Sequence, residues 1–191
     1  WVHDAFSIAP MLIFESPVMR CGKSTALRIL SKLVKRPLLS SNITPAAIFR
    51  SIEAFSPTLI IDEADTFLDS SSEIRGIINA GHERENAFVV RTVGEDFKPT
   101  RFDVFGPKVI SGIGSRKGTL IDRGIIIEMK RRGPNDQVER FKSRRENRLN
   151  YIQRKLARWA TNNIEDLEEL VRELPEQLND RQADNWEPLF S

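Results

Sequence analysis

Cysteine is almost absent from this sequence, since Cys21 is the only one among 191 residues. A single cysteine excludes a disulfide within the chain and a zinc site built on cysteines. Histidine is nearly as rare, and because His3 and His82 lie far apart in sequence, we do not expect a metal site made only of protein ligands. Long apolar runs are missing too, because none approaches the roughly 20 residues of a membrane-spanning helix, and no signal peptide opens the chain. We therefore expect a cytoplasmic protein that has no membrane partner.

Neither the composition nor the charge is extreme. Hydrophobic residues make up 40% of the sequence and charged residues 29%, as in an ordinary globular protein, so we expect neither disorder nor collagen-like repeats. The formal net charge of +2 argues neither for nor against nucleic acid. A length of 191 residues suits one α/β domain with a small appendage. Because the chain opens at Trp1 and not at methionine, we expect it to be a piece of a longer protein.

Short apolar runs alternate with helical spacing along the first two thirds of the chain. Apolar runs bounded by turn signals are typical of buried strands, and their alternation with helices predicts an α/β fold whose parallel sheet is covered on both faces. The expected strands cover residues 11–14, 37–39, 58–61, 108–111 and 124–127. Two further segments, 87–93 and 101–105, are rich in β-branched and aromatic residues and predict an inserted β-hairpin with a long tip.

The composition changes after Met129, where a basic stretch ends in Gly133-Pro134. We therefore divide the chain into an α/β core of residues 1–132 and a small helical lid or linker of residues 133–191. From residue 137 onward the spacing is helical, with a stripe formed by Leu149, Ile152, Leu156 and Trp159. A second, acidic helix is expected to carry Leu167, Leu170, Val171 and Leu174.

A phosphate-binding motif follows the first long expected strand. Residues 16–25 join that strand to a helix, and their Gly22-Lys23-Ser24 core matches the end of a P-loop, or Walker A motif. Such a junction suits phosphate because backbone N–H groups point inward at the positive end of a helix. Gly22 would let the backbone approach, Lys23 would reach the β- and γ-phosphates, and Ser24 would coordinate Mg²⁺. The expected cofactor-binding residues of the loop are Pro17, Arg20, Cys21, Gly22, Lys23, Ser24 and Thr25.

Pro17 departs from the usual form of this loop. The usual motif has a glycine where this chain has Pro17. Proline has no N–H and cannot take a positive φ, so the loop must begin with a different shape. Taken alone, the Gly-Lys-Ser core is therefore also compatible with an ordinary helix N-terminus that carries a solvated lysine.

A second motif makes the first more specific. The apolar strand of residues 58–61 ends in Asp62 and Glu63, and acids at the carboxyl end of a strand lie where α/β sheets bind ligands. Asp62 would hold Mg²⁺ through water, and Glu63 would orient and deprotonate the attacking water. The alternative is an acid that caps a helix after a core strand. The interval from Lys23 to Asp62 has room for a helix, a strand and another helix, so order and spacing favour an ATP–Mg²⁺ site.

Hydrolysis needs further polar and positive groups near the γ-phosphate. Ser111 is the last residue of the expected strand 108–111, and Ser115 lies in the glycine-rich turn that follows. Either residue would contact the γ-phosphate or the attacking water; an ordinary turn is the alternative. Arg123 precedes the last expected strand and would act as an arginine finger in the site of a neighbouring subunit. The alternative for Arg123 is a salt bridge with Asp122 or another local acid.

In this order the motifs resemble those of the AAA+ ATPases. The similarity is greatest to a domain of unknown function found in primase–helicase-like proteins of phages, plasmids and other mobile elements, and it covers roughly residues 1–132. The stretches that carry it are Ser16-Pro17 with Arg20-Cys21-Gly22-Lys23, Ile61-Asp62-Glu63-Ala64-Asp65-Thr66-Phe67, Asn79-Ala80-Gly81-His82, Phe88-Val89-Val90-Arg91-Thr92-Val93-Gly94, Gly106-Pro107-Lys108 and Leu120-Ile121-Asp122-Arg123. Pro17 fits that family's own variant of the loop.

The resemblance implies a P-loop NTPase fold with a five-stranded parallel sheet flanked by helices. It also implies hydrolysis of ATP with Mg²⁺, assembly into a homo-oligomer such as a ring, and a link to DNA replication. A primase domain in the same full-length protein would accord with it.

Basic residues of the expected hairpin are candidate contacts with single-stranded or forked DNA. Arg91, Lys98 and Arg101 lie on its tip and flanks, where they would follow a phosphate backbone; solvated surface charges are the alternative. The basic stretch 130–148 is a second candidate, and its alternative is a solvated helix face that pairs with the acidic helix after it. His82 would either link hydrolysis to the hairpin or cap a helix end.

Together the motifs predict an ATP-hydrolysing motor that moves along DNA or remodels it. The main alternative is a nucleotide-dependent switch that binds protein and not DNA. A kinase that phosphorylates a small molecule ranks last, because an acid pair at a strand end favours water as the nucleophile.

Overall fold

The structure is a computed structural model that describes residues 1–66, 71–114, 118–139, 141, 146–170 and 173–190. The strands in these ranges are β1 (Met11–Ser16), β2 (Pro37–Ser40), β3 (Thr58–Ile61), β4 (Phe88–Val93), β5 (Lys98–Asp103), β6 (Lys108–Ile113) and β7 (Gly124–Glu128). The α-helices are α1 (Lys23–Leu30), α2 (Pro45–Phe55), α3 (Ser72–Ala80), α4 (Glu146–Glu169) and α5 (Asp180–Trp186).

Five of the strands form one parallel sheet in the order β2-β3-β6-β1-β7. The chain leaves β1 for the far edge of the sheet, returns through β3 and β6, and ends at β7 on the other side of β1. At the carboxyl end of the sheet, Glu15 of β1 lies in register with Gly112 of β6 and with Glu128 of β7. Where the connections from two adjacent strands run in opposite directions, a crevice opens at the carboxyl ends of these strands. The predicted α/β fold with a five-stranded parallel sheet is confirmed.

Both faces of the sheet are covered. Successive side chains of a strand point to opposite faces, so Ile13 and Phe14 of β1 enter different cores. On one face Ile13 and Ile61 pack with apolar residues of α2 and α3. On the other face Phe14 and Ile60 pack with Leu27 of α1. Because each fully buried side chain of this kind contributes about 1.5–3 kcal/mol, α1 is held firmly on the strands that precede the candidate site.

The strands β4 and β5 form the predicted antiparallel hairpin. Its tip comprises residues 94–97 alone, shorter than predicted, because β5 already begins at Lys98. Pro99 is tolerated inside β5 because the outer positions of a two-stranded ribbon need no N–H donor. The ring of Phe102 lies 4.6 Å from that of Phe49 in α2, so the hairpin is held against the core.

The C-terminal helices differ from the prediction. Helix α4 runs without interruption over Glu146–Glu169, so Leu167 belongs to it and the predicted second helix is wrong; Val171 lies outside the described residues. Pro175 accounts for the absence of helix at Leu174, because a proline disfavours helical backbone at the residue before it. The sequence did not predict α5, which begins with a reciprocal capping box between Asn179 and Gln182.

Helix α5 is docked on the core through the buried side chain of Asn185. Its Nδ2 donates to the backbone oxygen of Asp122 at 2.8 Å, and its Oδ1 lies 2.7 Å from His82 Nε2. Helix α4 packs against the N-terminal 3-10 turn His3–Ala5. Both C-terminal helices therefore contact the first part of the chain, and the division at residue 132 stays a prediction. Of the helices in the described ranges, none combines the length and apolar character needed to cross a bilayer.

Candidate functional site

The loop of residues 17–22 joins β1 to α1 at the carboxyl end of the sheet. It enters the helix through Gly22, whose φ of 89° is in the left-handed region that glycine adopts without steric penalty. Arg20 also has a positive φ, of 64°, which costs a residue with a side chain about 1–2 kcal/mol. Strain of this kind clusters at ligand-binding sites. The loop therefore makes a tight turn into α1 although Pro17 replaces the usual first glycine.

Hydrogen bonds within the loop hold it closed. Lys23 Nζ donates to Ser16 Oγ, and Ser16 Oγ donates to the Val18 carbonyl at 2.8 Å. The thiol of Cys21, which is buried, donates to the same carbonyl at 3.2 Å. The ammonium group of Lys23 is thereby kept at the mouth of the loop, beside the first turn of α1.

The acids that follow β3 are held by the neighbouring strand β6. Asp62 Oδ1 accepts hydrogen bonds from Ser111 Oγ and from the Glu63 backbone N–H, both at 3.0 Å. Asp65 Oδ1 accepts from the Ile113 backbone N–H at 3.1 Å. Ser111 is fully buried, whereas Asp62 faces the cavity. These contacts fix the acids at the carboxyl end of the sheet, next to the strand that leads into the loop.

A cavity of about 630 Å³ lies between the loop and these acids. This volume is within the range of roughly 300–1,000 Å³ that is typical of small-molecule sites. Predicted residues of both motifs line it, namely Arg20, Cys21, Gly22, Lys23, Ser24, Thr25, Asp62 and Glu63. Met19, Asp65, Gly112 and Ile113 also line it. The two motifs, which are far apart in sequence, therefore face one cavity.

One predicted cofactor-binding residue of the loop does not line this cavity. Pro17 lines a separate cavity of about 290 Å³, together with Glu15 and Glu128. Ser115 lies outside the described residues. Ser111, which was the other candidate at this turn, contacts Asp62 and does not line the cavity.

Arg123 lies at the opposite end of the sheet. It directly precedes β7, whose first residue, Gly124, is in register with Met11 at the start of β1. A strand of five residues is roughly 16 Å long, so Arg123 is remote from the 630 Å³ cavity of its own chain. Its Nη1 donates to the Thr119 carbonyl at 3.1 Å, and among the residues described it forms no ion pair with an acid. Its role in a neighbouring subunit stays a prediction.

The three basic residues of the hairpin have different surroundings. Arg101 is in register with Val90, the residue before Arg91. Because successive side chains of a strand point to opposite faces, Arg91 and Arg101 lie on opposite faces of the hairpin. Arg91 Nη2 lies 3.0 Å from Glu73 Oε1 of α3, so this charge is engaged within the molecule. The guanidinium of Arg101 stacks 3.8 Å above the ring of Phe88, and Lys98 is exposed. The second candidate for DNA contact was the basic stretch 130–148, of which residues 140 and 142–145 lie outside the described residues.

Lys108 is a buried residue whose structural importance the sequence analysis missed. It is 2% exposed, and its Nζ donates to the carbonyls of Gly81 and Gly106 at 2.8 Å and of Val104 at 3.1 Å. Burial lowers the pKa of Lys108 to about 7, against the opposing effect of Asp103. The side chain ties the end of α3 to the segment between the hairpin and β6. In the sequence analysis, Lys108 was noted only as part of the Gly106-Pro107-Lys108 stretch.

His82 connects the core to α5 and does not line the 630 Å³ cavity. It is 1% exposed and follows the end of α3. Burial lowers its pKa; the hydrogen bond with Asn185 opposes this shift, and the positive charges of Arg123 and Arg181 add to it. The proposed link between hydrolysis and the hairpin gains no support from these contacts.

Comparison with known proteins shows similarity to one family model and to solved structures. Residues 128–191 match the model of a family described as a protein of unknown function, DUF3631. This segment overlaps the part that carries the motif resemblance, residues 1–132, only at 128–132. The A form apo structure of the NrS-1 C-terminal region is similar with a TM-score of 0.46 and 15% sequence identity, over 94% of this chain. This chain spans about two fifths of that one, 40%. No curated protein sequence matches the chain.

Proposed function

We propose that this chain binds ATP with Mg²⁺ in the 630 Å³ cavity and hydrolyses it. The observation that carries the proposal is that Lys23 and Ser24 of the loop face the same cavity as Asp62 and Glu63. A loop suited to phosphate and an acid pair suited to a cation and a water molecule are the two halves of such a site.

The loop side of the cavity is suited to a polyphosphate. Helix α1 begins at Lys23, so its first backbone N–H groups have no partner within the helix and carry partial positive charge. The side chains of Lys23 and Arg20 add full positive charges at the same wall. Lys23 is the group we assign to the β- and γ-phosphates, where it would stabilise the charge that develops during transfer.

The acid side of the cavity requires a cation. The carboxylates of Asp62, Glu63 and Asp65 line it and would repel a polyphosphate unless a divalent ion lay between them. Mg²⁺ favours hard oxygen ligands and commonly takes one or two from the protein and the others from phosphate and water. The Ser24 hydroxyl and the Asp62 carboxylate fit this pattern. Such a site needs no cluster of three protein ligands, and the described residues contain none. When bound, the ion would neutralise charge on the phosphate oxygens.

Glu63 is the residue to which we assign proton abstraction. Its carboxylate would accept a proton from the water that attacks the γ-phosphate, a role that typically contributes 10²–10⁴-fold to the rate. Asp62, which Ser111 orients, would remain on the cation. The two neighbouring acids thus have separate tasks, one in binding and one in proton transfer.

The test of this assignment is the variant Glu63→Gln. It removes the base but keeps the size of the side chain, so we expect ATP binding to be unchanged and phosphate release to fall by about 10²-fold or more. Glu168→Gln, on the exposed side of α4, is the matched control. Unchanged phosphate release in Glu63→Gln would remove Glu63 from the mechanism. Lost ATP binding in this variant would assign Glu63 to the binding of nucleotide.

We also propose that hydrolysis drives movement along DNA or its remodelling, in a homo-oligomer linked to the replication of a mobile element. The motif resemblance supports this proposal, and so do two basic residues of the hairpin: Arg101, which is stacked on Phe88, and the exposed Lys98. One observation favours the alternative of a protein-binding switch: Arg91 is engaged with Glu73 and is not free to follow a phosphate backbone. Stimulation of turnover by single-stranded DNA distinguishes the two.

A further inference from the structure

One face of helix α4 is left exposed by the fold. The buried side chains of this helix are Leu149, Ala160 and Leu167. Another row of side chains follows at intervals of three or four residues, which places them on one face of the helix, and every member of it is exposed. Tyr151 is 53% exposed and Trp159 48%. This row, which we call the α4 stripe, consists of Arg148, Tyr151, Lys155, Trp159, Asn162 and Asp166.

The charges of α4 are separated along the helix. After its first residue, Glu146, the basic side chains all lie in residues 147–158 and the acidic side chains all lie in residues 159–169. The basic half carries Arg148, Arg154, Lys155 and Arg158, and the acidic half carries Glu165, Asp166, Glu168 and Glu169. Among the residues that the structure describes, none of these charges forms an ion pair. Each half of α4 therefore presents charge of a single sign to solvent.

This separation of charge is unfavourable for a helix that stands alone. The helix dipole favours acids near the N-terminus and bases near the C-terminus, whereas α4 has acids in its last turn and no basic residue there. Like charges four residues apart, such as Arg154 and Arg158 or Glu165 and Glu169, also destabilise a helix. An antiparallel neighbour of the same sequence would offset both effects, because it places acids beside the basic half and bases beside the acidic half.

We propose that the α4 stripe is an interface and that its partner is the α4 stripe of a second copy of this chain, packed antiparallel around a two-fold axis at the level of Ala157. In such an interface each contact occurs twice. Arg148 and Asp166 lie equally far before and after Ala157, so Arg148 of each copy faces Asp166 of the other. Lys155 and Trp159 are also placed symmetrically about Ala157, so each ammonium group faces an indole ring, a pairing that cation–π attraction favours.

The acidic half of the helix favours a second copy over a nucleic acid as the partner. A single strand would suit the aromatic rings and Lys155 of the basic half, but Asp166 at the end of the same stripe would repel its phosphates. A second copy uses the whole stripe. One pair of helices buries less surface than the roughly 1,200 Å² of a stable complex, and its charged pairs are exposed, so we expect a weak dimer that salt weakens further.

The test is sedimentation equilibrium of the chain over a series of protein concentrations, without nucleotide, so that binding at the phosphate loop plays no part. Wild type should show an equilibrium between monomer and dimer that shifts toward monomer as salt is raised. Arg148→Glu would set an acid against Asp166 at both symmetric contacts, and Asp166→Arg would set a base against Arg148 at both. Each variant alone should therefore dimerise at least about tenfold more weakly than wild type.

An equimolar mixture of the two variants tests the pairing itself. When one Arg148→Glu chain meets one Asp166→Arg chain, both contacts again join opposite charges, so the mixture should recover dimers of about wild-type affinity. Arg154→Glu and Glu168→Arg reverse charges at exposed positions of α4 that are not in the stripe. They are the matched controls, and each alone should dimerise as wild type does. Thermal melting confirms that each variant is folded.

The inference is overturned if wild type stays monomeric at low salt, if its assembly is unchanged in Arg148→Glu and Asp166→Arg, or if the mixture recovers no dimer. A stripe that binds nucleic acid has a different signature: single-stranded DNA would bind Arg148→Glu more weakly and Asp166→Arg more tightly than wild type, and chains without DNA would not associate. That result would also overturn the inference. None of these outcomes depends on ATP, so the proposed hydrolysis is tested separately.

Discussion

The Ser111 hydroxyl donates a hydrogen bond of 3.0 Å to Asp62 Oδ1. Strand β6, which carries Ser111, lies between β3 and β1 in the sheet. The bond therefore links the acid that we assign to Mg²⁺ with the strand next to the one that leads into the phosphate loop. Ser111 is fully buried, and the two halves of the site are connected through one central strand.

Ser111→Ala should weaken the binding of Mg²⁺ without removing a ligand. Loss of a group that orients a metal ligand typically costs 10–100-fold in metal affinity or activity. We expect the Mg²⁺ concentration for half-maximal phosphate release to rise by about tenfold or more. Ser31→Ala, which removes a hydroxyl bonded to the Arg28 carbonyl, serves as the control. An unchanged Mg²⁺ dependence in Ser111→Ala would contradict the assignment of Asp62 to Mg²⁺.

Gly22→Ala should destabilise the loop because of the backbone conformation at this position and not because of a steric clash. Gly22 has a φ of 89°, and the nearest atom to an added Cβ, Met129 Cε, is 3.6 Å away. An alanine in this conformation costs about 1–2 kcal/mol, so we expect a lower midpoint of urea unfolding and weaker ATP binding. Gly76→Ala in α3, where no atom lies within 4 Å of the added group, should be neutral or stabilising by about 0.5–1 kcal/mol. Equal effects of the two changes would contradict this reading of the loop.

Lys108 should make the free energy of unfolding depend on pH above neutrality. Burial lowers the pKa of Lys108 to about 7, from 10.5 in the unfolded chain. Between these values the unfolded chain binds a proton that the folded chain does not, so stability rises with pH. From pH 7 to pH 9 we expect wild type to gain about 2 kcal/mol relative to Lys108→Met.

Urea unfolding of both proteins at the two pH values measures this difference. The comparison with Lys108→Met cancels the other groups that titrate in the same range. Parallel pH dependence of the two proteins would show that Lys108 stays protonated in the fold, held by its three carbonyl acceptors.

The three basic residues of the hairpin should respond differently to substitution. We expect Lys98→Ala and Arg101→Ala each to reduce the affinity for single-stranded DNA and to lower the salt-dependence slope by about 0.7, the value for one lost phosphate contact. Arg91→Ala should leave the slope unchanged, because Arg91 is paired with Glu73, and should alter stability by less than about 1 kcal/mol. A loss of slope in Arg91→Ala alone would place the DNA beside Arg91 and not beside Lys98 or Arg101.

The sheet and the loop could be predicted from the sequence because both depend on local patterns. The apolar strand of residues 58–61 ends directly in Asp62 and Glu63, and the Gly22-Lys23 pair stands directly before a helical pattern. The carboxyl ends of parallel strands meet at one end of a sheet, so motifs placed after two such strands are brought together by topology.

Other features depend on contacts that no local pattern encodes. An ammonium group is costly to bury unless its donors are satisfied, and the acceptors of Lys108 come from Gly81, Val104 and Gly106, which only the tertiary structure brings together. The partner of His82, Asn185, lies 103 residues further along the chain. Short helices such as α5 have few turns in which a periodic pattern can appear, which is why the docking of the C-terminal segment was missed.

The central claim is tested most directly by phosphate release from ATP–Mg²⁺, with and without single-stranded DNA, by wild type, Lys23→Ala and Lys32→Ala. Lys32 is an exposed lysine just beyond the end of α1, so Lys32→Ala controls for the loss of a positive charge. We expect turnover in wild type and Lys32→Ala, a rise in turnover with DNA, and a loss of about 100-fold or more in Lys23→Ala. Equal turnover in Lys23→Ala and wild type, or a folded wild-type chain that neither binds nor hydrolyses ATP, would contradict the claim.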